Sequence, residues 1–216
     1  PGPLGGGHGE AVVASLAERD AVAAGILLTH GHADHSEGAR ELGERLGCGV
    51  RALDPAHRLG LEGLVGGDIV AEAGVVLRVV STPGHTADSL TFLLEEDSAL
   101  LTGDTLLGRG TTVVAHPDGR LDDYLGSLQR LRRLAEDAAA RHVLPGHGPA
   151  LPDPAGLLEA YLEHRLARLH QVREAVAAGA MTADDVVAVV YADVPRAAWP
   201  AALLSVRAQL EYLRGR

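Results

Sequence analysis

The chain has 216 residues, of which 46% are hydrophobic and 3% aromatic, so Leu, Val and Ala must fill the core of one large domain, or of one domain with a small appendage. The single cysteine, Cys48, excludes an internal disulfide, and no apolar run approaches the roughly 20 residues that a membrane-spanning helix needs. The formal net charge of −10 argues weakly against a nucleic acid as the main partner, because nucleic-acid-binding proteins usually present a basic face. We therefore expect a soluble protein with a cytoplasmic location and no membrane partner, and the sequence leaves the oligomeric state open.

The first half of the chain alternates predicted helices with predicted strands. In chain order, the apolar spacing predicts a helix over 10–20, a strand over 21–29, a helix over 36–46, a short strand over 49–53 and four strands over 68–71, 75–80, 89–94 and 99–102. Between them, Asp54 followed by Pro55 is typical of a helix start. This start predicts that His57 lies on a short surface helix and not in a site.

The second half of the chain is mainly helical. The spacing predicts an amphipathic helix over 120–140 with Asp122 as its cap, a short strand over 143–144, a long helix from Asp153 to about 178, a short helix that begins with a capping box of Thr182 and Asp185, and a last helix that stops near Gly215. We therefore predict two domains, a catalytic domain over 1–152 and a C-terminal helical unit over 153–216.

Metal-capable side chains follow four of the predicted strands. In chain order they are His30, His32, Asp34 and His35 in the segment 29–35 (THGHADH), and then His85, Asp104 and His147 in later loops. Functional residues usually lie at the carboxyl ends of strands. His30 and His32 alternate along an extended loop and can bind one ion from the same side, whereas Asp34 and His35 point elsewhere and suit a second ion. Any one of these histidines alone would be read as an ordinary polar residue, but their recurrence at four strand ends predicts a binuclear metal site.

This pattern resembles the metallo-β-lactamase superfamily, whose motif His-x-His-x-Asp-His is followed in order by a His, an Asp and a His. The resemblance is closer still to the β-lactamase-like protein 2 family, through the segments 82–89 (TPGHTADS), 103–108 (GDTLLG) and 144–149 (LPGHGP) and through the helical pair His164 and Arg165. It covers nearly the whole chain. It implies an α+β fold, an αββα sandwich followed by a winged-helix-like unit. Because the chain opens at Pro1, we expect the N-terminal strands of the first sheet to be missing, and because it stops at Arg216, we expect the wing strands to be missing as well.

The resemblance also implies how the seven side chains divide. It implies that His30, His32 and His85 hold one metal, that Asp34, His35 and His147 hold the second, and that Asp104 bridges the two. Five imidazoles and two carboxylates without a thiolate suit two Zn²⁺ per chain, with Fe or Mn as alternatives. Asp34 is also expected to be catalytic, because it can orient the nucleophile as well as bind metal.

These residues predict a hydrolase and leave its substrate open. We favour a small-molecule thioester or ester because of the acidic charge balance, with single-stranded RNA as the alternative substrate of an endoribonuclease. Glyoxalase II activity is less favoured, since the chain has no Lys for glutathione. An alternative of a different class is a binding module whose C-terminal helices recognise nucleic acid and whose metal site is structural. The complete ligand set argues against this last reading.

Overall fold

The computed structural model describes residues 1–5 and 7–215. The helices are α1 (His8–Glu18), α2 (Ala33–Ser36), α3 (Ala39–Leu46), α4 (Leu121–Asp137), α5 (Pro154–Ala177), α6 (Ala183–Val190) and α7 (Trp199–Arg214). The strands are β1 (Ile26–Leu27), β2 (Val50–Arg51), β3 (Ile69–Glu72), β4 (Val75–Ser81), β5 (Leu90–Leu94), β6 (Ala99–Gly103), β7 (His142–Pro145) and β8 (Leu151–Pro152). Within these described residues, no helix is long and apolar enough to cross a membrane.

The strands form two sheets. β1 and β2 pair in parallel, and the larger sheet has the order β3-β4-β5-β6-β7-β8. Its neighbouring strands are antiparallel except for β6 and β7, which are parallel because α4 crosses over between them. It follows that β4, β6 and β7 run in the same direction and end at the same edge of the sheet. The loops that carry His85, Asp104 and His147 therefore begin side by side.

The helices and sheets are arranged in four layers with buried clusters between them. Side chains alternate across β5, so that Leu93 joins a buried cluster under α4 and α5, whereas Phe92 joins a cluster that faces the small sheet. Leu28, which follows β1, and Val50 of β2 pack in turn against Ala39 of α3. Each fully buried leucine or valine contributes roughly 1.5–3 kcal/mol relative to an exposed one, so these clusters dominate the stability of the fold. The order of layers, helix on sheet on sheet on helix, is the predicted αββα sandwich.

Helix α5 contributes to two clusters. Its first half, with Leu158 and Tyr161, packs into the main core beside α4. Its second half, with Val172, packs against Val186 of α6 and Val206 of α7 in a separate cluster. The division of the chain into 1–152 and 153–216 stays a prediction.

Several predicted element boundaries need correction. The strand predicted over 21–29 is reduced to the two residues of β1, and the helix predicted over 36–46 is divided into α2 and α3, because Gly38 leaves the helical ladder and donates its N–H to the Gly2 carbonyl at 3.0 Å. Only a three-residue 3-10 helix follows Asp54, whose carboxylate accepts the N–H of Ala56 at 2.9 Å.

Two helix caps were predicted, with different outcomes. The prediction of Asp122 as the cap of α4 is wrong, since Arg120 occupies the N-cap position and Asp122 lies in the first turn, where its charge favours the helix dipole. The capping box before α6 is confirmed. There Thr182 accepts the N–H of Asp185 at 3.1 Å and Asp185 accepts the N–H of Thr182 at 2.9 Å.

Gly84 lies directly against α4 and should not tolerate a side chain. Its φ is 137°, and a Cβ at this position would lie 2.3 Å from the Tyr124 Cα. We expect Gly84→Ala to lower the free energy of unfolding by about 3 kcal/mol or more, because the obstacle is helix backbone that cannot rotate away.

Gly126 on the same helix provides the matched control. A Cβ there would meet no atom within 4 Å in the described structure, so Gly126→Ala is a change in open space. It should raise the free energy of unfolding by about 0.5–1 kcal/mol, because glycine weakens a helix interior. Urea denaturation of the two variants measures the difference. Equal midpoints would contradict the close approach of Gly84 to α4.

Candidate metal centre

The seven predicted side chains converge at one edge of the two sheets. His30 follows β1, whose end is fixed to the large sheet because Leu90 donates its backbone N–H to the Thr29 carbonyl at 2.7 Å. The other three loops begin at the common edge of β4, β6 and β7. Three overlapping groups have ligand atoms within 4.8 Å of one another, namely His30 with His32 and His85, His30 with His35 and Asp104, and Asp34 with His35 and His147.

The segment between His30 and Ser36 changes from an extended chain to a helical turn, and this change sorts its side chains. The His32 carbonyl accepts the N–H groups of both His35 and Ser36 at 2.9 Å, so α2 begins immediately after His32. The Ser36 hydroxyl donates back to the Gly31 carbonyl at 2.8 Å and closes the turn. As a result, His32, which precedes the turn, contacts the group with His30 and His85. Asp34 and His35, which lie within the turn, contact the group with His147.

The first group consists of three histidine nitrogens. His32 Nδ1 lies 3.1 Å from His30 Nε2 and 3.0 Å from His85 Nε2. Around a tetrahedral zinc ion with Zn–N bonds of about 2.0–2.1 Å, neighbouring nitrogens lie about 3.4 Å apart. The observed spacing is therefore close to that of three ligands of one ion.

The second group is more open to solvent. His147 Nε2 lies 3.2 Å from His35 Nε2 and 3.0 Å from Asp34 Oδ2, and the side chains of His147 and Asp34 are 51% and 52% exposed. His30, by contrast, is only 2% exposed. A substrate can therefore approach the second group from solvent, whereas the first group combines the buried His30 with the exposed His32.

Asp104 lies between the two groups. Its Oδ1 is 3.3 Å from His35 Nε2, and its Oδ2 is 3.8 Å from His85 Nε2 and 3.6 Å from His147 Nε2. Oδ1 is buried and has no hydrogen-bond partner in the part of the chain that the structure describes. A buried carboxylate oxygen without a partner is costly, and a cation shared by the two groups would satisfy it. The donor set therefore fits a pair of metal ions that share Asp104.

The electrostatics of the site favour the forms that bind metals. Burial, together with the neighbouring histidines His35 and His85, lowers the pKa of His30 to about 3. Burial also lowers the pKa of His85. For Asp104, burial acts to raise the pKa, but the surrounding histidines outweigh it and the pKa of the carboxyl is lower than usual. Neutral imidazoles and an ionised carboxylate are the states that a metal requires.

Surrounding groups orient these side chains, and most of these groups could not be predicted from the sequence. The His85 Nδ1–H donates to the Val113 carbonyl at 2.9 Å, which leaves Nε2 free to face the centre. The Thr112 hydroxyl donates to the backbone carbonyl of Asp104. Gly146 lies so close that a Cβ would be 2.6 Å from Asp104 Oδ1. The glycines of segment 144–149 indicate that the backbone passes close to another group. A carbonyl partner such as that of Val113 cannot be recognised from the sequence, because every residue has a carbonyl.

His57 is closer to the site than predicted. A Cβ on Gly31 would lie 2.5 Å from His57 Nε2 and 3.1 Å from Asp88 Oδ2, so both side chains flank the loop between His30 and His32. His57 belongs to none of the three ligand groups, and the prediction that it is not a site residue stays a prediction. His57 also lines a groove of about 370 Å³ beside the ligand segment, together with Gly31 and Arg40.

Comparison with known proteins identifies the class that this fold and site define. Residues 24–147 match the model of the "Metallo-beta-lactamase superfamily", and residues 182–215 match that of the "Beta-lactamase associated winged helix domain". The chain belongs to the metallo-beta-lactamase superfamily. The resemblance and the α+β fold class predicted from the sequence are thereby confirmed, including the winged-helix-like C-terminal unit.

Individual relatives extend this comparison. The chain is 34% identical over 202 residues to the Beta-lactamase-like protein 2 homolog of Caenorhabditis elegans, and the aligned region covers 87% of this chain and 64% of that protein. It is 33% identical over 168 residues to the Atrochrysone carboxyl ACP thioesterase of Aspergillus fumigatus, covering 76% and 50% of the two chains. The chain thus spans between half and two-thirds of the length of these relatives.

Solved structures agree with the fold. A metallo-beta-lactamase family protein from Thermus thermophilus superposes with a TM-score of 0.77 at 27% identity, covering 95% of this chain and 80% of that chain. A second protein, solved in a di-iron-bound form, superposes with a TM-score of 0.58 at 26% identity, covering 70% and 82% of the two chains. The second structure contains a pair of metal ions.

Proposed function

We propose that the protein is a metal-dependent hydrolase that holds two Zn²⁺ ions and cleaves a small-molecule thioester or ester. The observation that carries this proposal is the convergence of five imidazoles and two carboxylates in two groups that meet at Asp104. The absence of a thiolate from this set suits Zn²⁺ and is also compatible with Fe or Mn. The di-iron form of a similar protein supports the pair of ions and keeps iron as the alternative.

The chemistry follows from the donor set. Two metal ions, held by the five histidines together with Asp34 and Asp104, would lower the pKa of water and polarise the carbonyl group of the substrate. In thioester hydrolysis the water oxygen forms a bond to the acyl carbon, the C–S bond breaks, and the sulfur leaves as a thiol. Asp34, whose Oδ2 faces His147 at 3.0 Å from a half-exposed position, is suited to accept a hydrogen bond from the attacking water and orient it.

The substrate class is argued from the relatives and from charge. A similar protein is named as a thioesterase for an acyl carrier protein, and a formal charge of −10 disfavours a polyanion. The match to a winged-helix domain supports single-stranded RNA as a second candidate substrate, because such helical modules often contact nucleic acid. A binding module with a structural metal site is the remaining alternative, and solvent access to Asp34 and His147 argues against it.

Parallel assays separate these functions. Zinc-reconstituted protein is assayed with a panel of acyl-CoA thioesters and, separately, with a labelled single-stranded RNA. The Asp104→Ala variant gives the background rate in both assays. We expect thioester turnover at least about 10²-fold above the variant, because losing one electrophilic contribution commonly costs this much. RNA cleavage should equal the background. RNA cleavage that depends on Asp104, without thioester turnover, would favour the second candidate, and inactivity in both assays would favour the binding module.

A further inference from the structure

A buried arginine on α5 contacts a segment next to the metal centre. Arg165 is only 8% exposed, and its guanidinium lies 5.1 Å from the centre of the Tyr124 ring. Its Nη2 donates to the Thr112 carbonyl. A buried charge is costly unless it is hydrogen-bonded, so this contact is the principal compensation for burying the guanidinium. The hydrolytic chemistry proposed above does not use Arg165 directly.

The segment that Arg165 contacts is held from several sides. Tyr161, one turn earlier on α5, accepts the N–H of Leu107 at 3.1 Å and donates its hydroxyl to the Gly110 carbonyl at 3.0 Å. The Tyr124 hydroxyl of α4 donates to the Thr105 carbonyl at 2.7 Å. Residues 105–114, which follow β6, therefore take their position from α4 and α5.

The same segment holds two of the candidate ligands. The Thr112 hydroxyl donates to the backbone carbonyl of Asp104, and the neighbouring Val113 carbonyl accepts the Nδ1–H of His85. Thr112 thus accepts from Arg165 with its carbonyl and donates to Asp104 with its hydroxyl. The next residue, Val113, accepts from His85. A displacement of Thr112 would change the orientation of both ligands.

The last helix reaches the same arginine. Arg165 Nε and Gln209 Oε1 are buried without a hydrogen-bond partner among residues 1–5 and 7–215, and both residues line one small cavity together with Val114. One of these atoms is a donor and the other an acceptor, so their charges are complementary across the cavity. Gln209 lies on α7, so the guanidinium lies between the metal-side segment and the winged-helix-like unit.

We propose that Arg165 is a positioning residue that fixes Thr112 and Val113, and through them orients Asp104 and His85 towards the metals. This inference rests on the proposed metal centre. It means that α5, although it carries none of the seven candidate ligands, sets the affinity of the site for metal. Groups that orient metal ligands typically change metal affinity by about 10–100-fold when they are removed.

The test is the zinc affinity of the full chain, measured by competition with a chromophoric chelator. Arg165→Met removes the donors and keeps the length of the side chain, and it should weaken zinc binding by about 10–100-fold. Arg165→Lys keeps a cationic donor that can reach the Thr112 carbonyl, so it should recover part of this loss. Zinc binding by Arg165→Met at the wild-type affinity would overturn the proposal.

Arg168 provides the matched control on the same helix. Its Nη1 donates to the Val190 carbonyl at 2.7 Å and its guanidinium lies over the Tyr191 ring. Arg168 also lines the small cavity beside Val114, but its hydrogen bond joins α5 to α6 and not to the ligand loops. Arg168→Met should leave zinc affinity within about threefold of wild type, since it orients no ligand. A loss as large as that of Arg165→Met would mean that both variants act only through general stability, and would overturn the proposal.

A second variant covers the case in which Arg165→Met does not fold. Thr112→Val removes the hydroxyl that donates to the Asp104 carbonyl and keeps the shape of the side chain. It should weaken zinc binding by about 10-fold, and unchanged affinity would contradict the inference. A wild-type chain that binds no zinc would overturn the proposed function as well. A wild-type chain that binds zinc, with Arg165→Met unchanged, would overturn only the role of Arg165.

Discussion

Replacing Asp104 with alanine is expected to lower the zinc content of the reconstituted protein from about two ions per chain to below about one, because this carboxylate is the single group proposed to belong to both metal shells. Its two oxygens face His35 on one side and His85 and His147 on the other, at 3.3 to 3.8 Å. Removing it also leaves the remaining imidazoles without a negative charge to balance the cations. Elemental analysis after exhaustive buffer exchange gives the result directly.

Asp118→Ala is the control for this experiment. Asp118 accepts the N–H of Ala87 at 3.3 Å, so it lies near the same loops, but it belongs to none of the three ligand groups. Its variant should keep the wild-type zinc content. If Asp104→Ala also keeps two ions, the two groups bind metal independently and the shared carboxylate is not a bridge.

Exchange of Asp34 for asparagine should reduce hydrolysis of a thioester or ester by at least about 10²-fold while the fold is retained. The substitution preserves size and removes the charge that is proposed to bind the second metal and to orient water. Asp34 is half exposed and contributes to none of the buried clusters, so its loss should leave the circular dichroism spectrum unchanged. His147→Ala, which removes another candidate ligand of the same group, should have a similar effect.

His170→Ala is the appropriate comparison for these two variants. His170 is exposed on α5, where it pairs with Glu174 at 3.3 Å, and it should change turnover by less than about threefold because exposed ion pairs contribute little. His57 would be a poor control, since it lies against Gly31 in the ligand segment. If the Asp34→Asn variant keeps activity within about threefold of wild type in buffer freed of trace metals, the proposed metal centre is not the site of catalysis.

The positions of the ligand-bearing loops could be predicted because they depend on local sequence signals. Apolar segments that are followed by His30, His85, Asp104 and His147 predict strands with functional groups in the loops after them, and the shared direction of β4, β6 and β7 brings three of those loops together. The alternation of His30 and His32 likewise survives in the structure, since the chain is extended until α2 begins. Short-range patterns therefore reveal which residues can act together.

The parts that could not be predicted depend on contacts between distant main-chain groups. His85 is oriented by the carbonyl of Val113, and any residue type has such a carbonyl, so no side-chain pattern marks it. The division of the segment 36–46 follows from the bond between Gly38 and Gly2, which lie far apart in sequence. His57 reaches the ligand loop because a short 3-10 helix returns it to Gly31, and spacing along the chain does not reveal this return.

The participation of α5 in two clusters bears on how a large substrate could enter. The helix runs without interruption from Pro154 to Ala177, with one half in the main core and the other against α6 and α7. A hinge between the catalytic part and the last helices would have to bend this helix, and sharp bends need a proline, a bulge or an inserted group within the helical ladder. Its only proline, Pro154, is the first residue of the helix, where it causes no bend. A substrate therefore reaches the half-exposed Asp34 and His147 from solvent, and bending of α5 neither opens nor closes this route.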